Sequence, residues 1–192
     1  MKTKILFVAN VDWFFISHRL VIAEEAKKNG FEVIVAAKDT GRSQEIIDKG
    51  IQFINLSFSR SGTNLIKESI TLIKVYKIYY NLKPDIVHHI TLKPVIYGSI
   101  IAKLLKIKGV VNAISGLGYN FTKERLGFVS KVMLQFMRYG FNSERVSLIF
   151  QNQDDFQELS KLNVVSNTNK IFFIKGSGVD LNAFKTDGFP DF

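Results

Sequence analysis

Short apolar runs alternate along this chain with longer stretches in which apolar residues return every three or four positions. The runs at 4–9, 32–37, 51–56, 86–90, 110–114, 148–151 and 171–174 predict strands. Each is nearly continuous in apolar residues, the pattern of parallel strands covered on both faces. The stretches 17–29, 43–49, 64–81, 94–106, 125–141 and 154–162 predict helices. Ser17 is expected to cap the first of these, Gly30 and Gly50 to stop the first two, and Pro94 to open the fourth. On the third helix, Lys67, Thr71, Lys74, Lys77 and Asn81 fall on one stripe that should face water. Regular alternation of strand and helix predicts an α/β domain. With right-handed crossovers it becomes a doubly wound parallel sheet of about seven strands, ordered 3-2-1-4-5-6-7.

Composition narrows the functional classes. A length of 192 residues suits one domain with a sizeable core. The absence of cysteine excludes disulfides and thiolate metal sites. The first apolar run ends at Asn10 and Asp12, too soon for a signal sequence, and no run is long enough to predict a transmembrane helix. The net charge of +9 favours an anionic partner such as a membrane surface or a phosphorylated substrate, or else only aids solubility. The lysines are scattered and no nucleic-acid-reading motif is present, so nucleic acid is not an expected partner.

In such a sheet, ligands sit beyond the carboxyl ends of the strands. That singles out the segments 10–17, 57–63, 88–94, 115–123 and 176–178. The common cofactor signatures are missing from them. The first strand is followed by Asn10-Val11-Asp12-Trp13, without the glycines that let backbone approach a dinucleotide pyrophosphate. There is no Walker A loop, no Gly-x-Ser-x-Gly elbow and no metal-ligand spacing among the three histidines, so no cofactor and no metal are expected.

Five segments, in order, carry a more specific signal. They are Phe14-Phe15-Ile16-Ser17-His18-Arg19-Leu20, Ser59-Arg60-Ser61-Gly62-Thr63-Asn64, His88-His89-Ile90-Thr91-Leu92-Lys93-Pro94, Ser115-Gly116-Leu117-Gly118-Tyr119 and Gly176-Ser177-Gly178-Val179-Asp180-Leu181-Asn182-Ala183-Phe184. Together they resemble the N-terminal half of family 4 glycosyltransferases, in the branch that extends lipid-linked sugars for O-antigen, capsule or protein glycans. The resemblance implies one Rossmann-like half of a GT-B fold and a retaining hexosyltransferase of surface polysaccharide synthesis. It also implies a nucleotide-sugar donor held mainly by a C-terminal domain and a lipid-linked or glycan acceptor received by this one. On that reading 1–184 is the acceptor-side domain, 185–192 begins the interdomain linker, and the C-terminal domain lies outside the chain. The isolated domain is then expected to be inactive, and the protein to be cytoplasmic and peripheral at the inner face of the cytoplasmic membrane. Many members of the family carry a histidine just after the fifth strand. This chain has Ile114-Ser115-Gly116 there, so that residue is not carried over. A non-catalytic binding module, or a partner subunit of a separate transferase, is the alternative reading.

Each candidate residue has a functional and a structural reading. Ser115, Gly116, Gly118 and Tyr119 either present backbone N–H groups to a ligand oxygen or make a plain turn. Arg60, beside Ser61, either grips a phosphate or is a solvated loop residue. His18 and Arg19 are expected to open the first helix, where N–H groups and the helix dipole suit an anion; His18 is also a candidate to position the acceptor hydroxyl. His88 and His89 are adjacent on a strand and point to opposite faces, so one should reach the cleft and the other pack in the core. His18, His89 and Ser115 are the catalytic candidates. Lys93 is placed in a loop as a phosphate partner, and Asn10 and Asp12 as polar groups reaching the cleft. Trp13, Phe14 and Phe15 are core or the lip of an acceptor site. The apolar helix at 126–141 is either buried or rests on an anionic membrane through Lys131 and Arg138.

Overall fold

The apolar runs assemble in the order their spacing predicts. The computed structural model describes residues 2–58, 65–116 and 127–178. In chain order the elements are β1 (Lys4–Val11), α1 (Asp12–Lys28), β2 (Glu32–Lys38), α2 (Ser43–Asp48), β3 (Gln52–Asn55), α3 (Leu65–Leu82) and β4 (Ile86–Ile90), followed by α4 (Leu92–Leu104), β5 (Gly109–Ile114), α5 (Phe128–Phe141), β6 (Val146–Phe150), α6 (Gln153–Lys161) and β7 (Lys170–Phe173). All seven strands are parallel in one sheet, ordered β3-β2-β1-β4-β5-β6-β7. The order reverses between β1 and β4, which creates the crevice where ligands of such sheets bind.

Alternation along the strands feeds two cores. Phe7 and Ala9 of β1 pack with Phe15, Val35, Ile46 and Ile90 on the face covered by α1 and α2. Leu6 and Val8 pack with Tyr79, Ile96, Phe141, Leu148 and Leu159 on the face covered by α3 to α6. Burial of apolar side chains on both faces explains why the strands lack polar alternation. The two edge strands are the exceptions: only the middle of β3, and only Ile171 of β7, is even partly covered.

Several boundaries move from where the sequence places them, and each has a physical cause. The first helix begins at Asp12, not at Ser17. Asp12 is fully buried and accepts hydrogen bonds from the Trp13 amide (2.7 Å), the Thr40 amide (2.7 Å), the Arg42 amide (3.0 Å) and the Thr40 hydroxyl. It therefore starts α1 and ties that start to the loop after β2, rather than reaching into the cleft. Ser17 sits inside the helix, where its hydroxyl donates to the Trp13 carbonyl at 3.0 Å. His18 and Arg19 are thus in the second turn, so the free N–H groups of a helix start are not theirs. α4 begins at Leu92, which puts Lys93 in its first turn instead of a loop. On α3, Thr71 is buried while Ile70, Ile73, Tyr76 and Tyr80 are exposed beside Lys74 and Lys77, so the solvent stripe is less polar than its lysines suggest. Phe15 belongs to the core, Phe14 is half-buried and Trp13 is exposed.

The Asp12 latch makes a pH-dependent contribution. Burial alone would raise its pKa, but the hydrogen bonds from Thr40, Arg42 and Trp13 outweigh burial and bring it down to about 2. A carboxylate whose folded pKa is depressed stabilises the fold above its unfolded value and loses that contribution as pH falls toward the folded value. Asp12→Asn should lower the unfolding free energy at neutral pH by about 2 kcal/mol. In urea melts, the gap to the parent should close as pH drops from 3.8 toward 2. An equal gap at both ends of that range would contradict this account of the latch.

Candidate functional site

Two hollows open beyond the carboxyl ends of the central strands and share Gln151, the residue after β6. One, of about 240 Å³, is lined by Arg19, His88, Ile114, Lys175 and Ser177 among others. The second, of about 300 Å³, is lined by Phe14, His18, Thr91, Leu92, Ser115 and Gly116. Five of the residues singled out from sequence (His18, Arg19, His88, Ser115 and Gly116) therefore meet at one end of the sheet. Arg60, Ser61, Gly118 and Tyr119 lie outside the described residues.

Buried polar atoms without partners concentrate at this same end. Asn10 Oδ1 near the end of β1, His88 Nε2 on β4 and Thr91 Oγ1 just after β4 are buried with no hydrogen-bond partner among the described residues. Native proteins leave few such atoms, because each one costs about 1–3 kcal/mol. Thr91 is also held at φ 73°, ψ 157°. That region is close to glycine-only, and a β-branched residue there stores on the order of 1–3 kcal/mol of strain. Gly116, at φ 103°, turns the backbone after β5 through a conformation that other residues rarely adopt.

The two β4 histidines have different fates. His88 pairs in register with Phe7 of β1 and lies against its ring, with centroids 5.1 Å apart, on the α1 face. Burial first, then the nearby Arg19 charge, then His89 hold its pKa down at about 3, so it enters the cleft as a neutral imidazole. His89 faces the other core and is fully buried. Its Nε2 meets the Tyr79 hydroxyl at 2.7 Å and its Nδ1 meets Asn112 Oδ1 at 2.6 Å, while Asn112 also bonds Ser99. Burial lowers the His89 pKa to about 4, against a smaller opposing effect of the Asn112 hydrogen bond. With both ring nitrogens engaged in the core, His89 lines neither hollow and is a packing residue; this corrects its candidacy as a catalytic group.

The remaining candidates are placed as follows. His18 stacks on Phe14 with ring centroids 4.1 Å apart. Its Nδ1 lies 2.6 Å from Ser17 Oγ and 3.1 Å from the Phe14 carbonyl, which fixes the ring and leaves Nε2 without a partner among the described residues. Lys93 bonds Glu68 at 2.9 Å, and the same carboxylate accepts from Tyr97, so the Lys93 charge is neutralised rather than offered to a phosphate. Gln151, Thr91 and Lys175 are polar lining residues that the sequence did not mark as candidates. Gln151 follows β6 and could have been found by applying the strand-end rule to every strand. Thr91 stood within a quoted segment, but its strain is visible only in the backbone. Lys175 precedes the glycine pair at 176 and 178, with no motif to mark it.

Comparison with known proteins places this architecture. The glycosyl transferase 4-like family matches residues 4–153. An Escherichia coli protein, UDP-Gal:alpha-D-GlcNAc-diphosphoundecaprenol alpha-1,3-galactosyltransferase, is 28% identical over 95 residues, which is 50% of this chain and 24% of that protein. Among solved structures, HepE from Anabaena in complex with UDP superposes with a TM-score of 0.59 at 13% identity, covering 97% of this chain and 47% of HepE. A UDP-N-acetylglucosamine 2-epimerase gives 0.62 at 19% identity, covering all of this chain and 53% of the epimerase. MurG from Acinetobacter baumannii gives 0.55 at 13%, covering 98% and 50%. At these identities the solved structures speak to fold alone: the seven-stranded sheet matches one half of GT-B and epimerase folds. The chain spans about half the length of these structures and a quarter of the curated relative.

The opposed roles of the histidines predict different mutational behaviour. A Cβ at Gly98 would overlap the His89 ring, so Gly98→Ala should destabilise the fold by about 1–3 kcal/mol. Both imidazoles are held neutral, so below pH 6.5 the unfolded chain gains protons that the folded one refuses, and stability falls toward pH 4 and below. His88→Gln should flatten that decline while costing less than about 1 kcal/mol at neutral pH, since no native hydrogen bond of its Nε2 is lost. Urea unfolding across pH 4–7 measures both effects. An unchanged slope in His88→Gln would refute the neutral, unpartnered His88.

Proposed function

Because the chain belongs to the glycosyl transferase 4-like family, we propose that it is the acceptor-side domain of a two-domain retaining hexosyltransferase, which moves a sugar from a nucleotide-sugar donor to a lipid-linked glycan acceptor. The observation that carries this reading is the set of orphaned groups at the ends of β1 and β4. Asn10 Oδ1 accepts only, Thr91 Oγ1 both donates and accepts, and neutral His88 Nε2 does one or the other. A sugar ring offers both donor and acceptor hydroxyls, whereas a fully ionised phosphate offers acceptors alone. The named acceptor of the E. coli relative, a diphosphoundecaprenol-linked GlcNAc, supports a lipid-linked glycan for this chain.

In this mechanism, Asn10, His88 and Thr91 hold the acceptor sugar and exclude water from it. His18, oriented through Nδ1 and stacked on Phe14, places Nε2 where it accepts a hydrogen bond from the acceptor hydroxyl. Ser115 and Gly116 supply backbone groups where the donor sugar meets that hydroxyl. The nucleotide sugar is held mainly by a second α/β domain, joined to residues 1–184 by a linker beginning at 185–192. Electrostatic stabilisation of the leaving group is the largest expected contribution to rate, so most of it resides outside this chain.

A lipid-linked acceptor also requires a membrane nearby. None of the described helices is long and apolar enough to cross one. The outer faces of α3 and α5 instead expose Ile70, Ile73, Tyr76, Tyr80, Phe136 and Tyr139, with Lys74, Lys77 and Lys131 among them. Mixed aliphatic, aromatic and basic residues suit shallow contact with anionic headgroups, worth about 1 kcal/mol per basic residue near the surface. These faces support a reading in which the enzyme works at the inner face of the cytoplasmic membrane.

Two measurements test these proposals. Protein carrying both domains should transfer sugar to a diphosphate-linked glycan, and His18→Ala should lower kcat by about 10²-fold or more, whereas the 192-residue chain alone should show almost no transfer. Transfer by the chain alone at the roughly 1–10³ s⁻¹ of ordinary enzymes would contradict the division of labour. The chain should also co-sediment with phosphatidylglycerol vesicles at low salt and be released by added salt. Equal binding by a Tyr76→Ser, Tyr80→Ser variant would rule out the α3 face.

A further inference from the structure

Arg19 presents an electrostatic problem that the fold itself does not solve. Its side chain is buried, with only 6% of the residue exposed. Among the described residues no carboxylate lies within ion-pair distance of it, although six other ion pairs form. Burial weakens its hold on its proton, and no acidic neighbour offsets this. Buried guanidinium groups are normally paired, because desolvating a charge costs several kcal/mol.

The geometry leaves part of the guanidinium free. Nη1 donates to the His18 carbonyl at 2.8 Å and to Ser177 Oγ at 2.7 Å, which uses both of its hydrogens. Nε and Nη2 have no partner among the described residues. These two bonds fix the planar fork across a sequence separation of 158 residues. The hollow that Arg19 lines holds a second cation, Lys175, and no acidic residue among the described ones. Gly176 and Gly178, at φ 76° and 74°, turn the backbone sharply on either side of Ser177. Ile22, Ile114, Ile149 and Ile174 supply apolar walls that lower the local dielectric and strengthen any charge pairing.

We infer that this hollow, between α1 and the segment after β7, is a diphosphate site in which the immobilised Arg19 fork takes one phosphate and Lys175 the other. A planar fork with one edge free matches two phosphate oxygens, and the missing counter-charge is what the ligand supplies. Within the glycosyltransferase reading, on which the choice of source rests, a diphosphate arrives either in the nucleotide of the donor or at the lipid-linked end of the acceptor.

Thermal denaturation of the 192-residue chain with inorganic pyrophosphate tests the site without requiring any sugar transfer. Pyrophosphate should raise Tm saturably. Arg19→Met should bind it at least tenfold more weakly while its ligand-free Tm stays equal to or above that of the parent, since an unpaired buried charge has been removed. Arg19→Lys, which keeps charge but not the fork, should fall in between, and Lys175→Met provides a surface-compatible second variant should Arg19→Met fail to fold. The same titrations with UDP and with a short-chain prenyl-diphosphate GlcNAc separate the sources: loss confined to UDP assigns the donor nucleotide, and loss confined to the prenyl compound assigns the acceptor. Undiminished pyrophosphate stabilisation in Arg19→Met, Arg19→Lys and Lys175→Met would overturn the site whether or not the protein transfers sugar.

Discussion

β4 lies between β1 and β5 with Phe7 beside His88 and Val8 beside His89, and this register decides what each imidazole can do. A strand sends neighbouring side chains to opposite faces, so one residue of slip would exchange the roles of the pair. As built, His89 closes a chain of hydrogen bonds from Tyr79 through Asn112 to Ser99, linking α3, β4, β5 and α4. His88 is left on the α1 face beside Arg19, with a nitrogen that nothing in the described chain satisfies. A saturated ring on one face and an unsatisfied one on the other follow from one pairing.

A comparable contrast separates two charged residues of α1. Asp12 and Arg19 are both buried, seven positions apart on the same helix. Asp12 is surrounded by donors from its own turn and from the loop after β2, and it behaves as a structural latch. Arg19 has half a coordination shell and no counter-charge among the described residues. The first arrangement stabilises the fold, and the second holds a charge ready for something that arrives from outside. Strain at Thr91 and the orphaned atoms at Asn10 and His88 belong with Arg19: they lie on or just after β1 and β4, where the sheet order reverses, and Arg19 of α1 lines the same hollow as His88. The fold tolerates these costs because the cores on both faces of the sheet fix the strand ends independently of the cleft.

The sheet was legible in the sequence because burial on both faces leaves uninterrupted apolar runs, and because the helix-length stretches between them favour parallel crossovers. The strand order followed from handedness, and the strand-end loops from the order. What stayed hidden depends on contacts between distant residues. Asp12 begins α1 because Thr40 and Arg42 donate to it, and Ser17, with its cap-forming chemistry, offered the better local signal. Sequence could say that His88 and His89 diverge, but not which one meets the cleft, since that depends on which helices cover which face. The burial of Arg19 rests on Ser177, and the pairing of Lys93 on Glu68, neither of which has a local signature. Gln151 stayed hidden because the sixth apolar run, 148–151, takes it into the strand, whereas β6 ends at Phe150.

The central claim is that the end of β4 holds one histidine for the substrate and one for the core. Imidazole ¹⁵N and ¹³C NMR of the chain, titrated with a diphosphate-linked GlcNAc acceptor analogue, reads the two rings separately. The account predicts that the His88 Nε2 resonance moves as a ligand hydroxyl engages it, while both nitrogens of His89 stay where the Tyr79 and Asn112 hydrogen bonds hold them. A shift at His89 with His88 unmoved would contradict it.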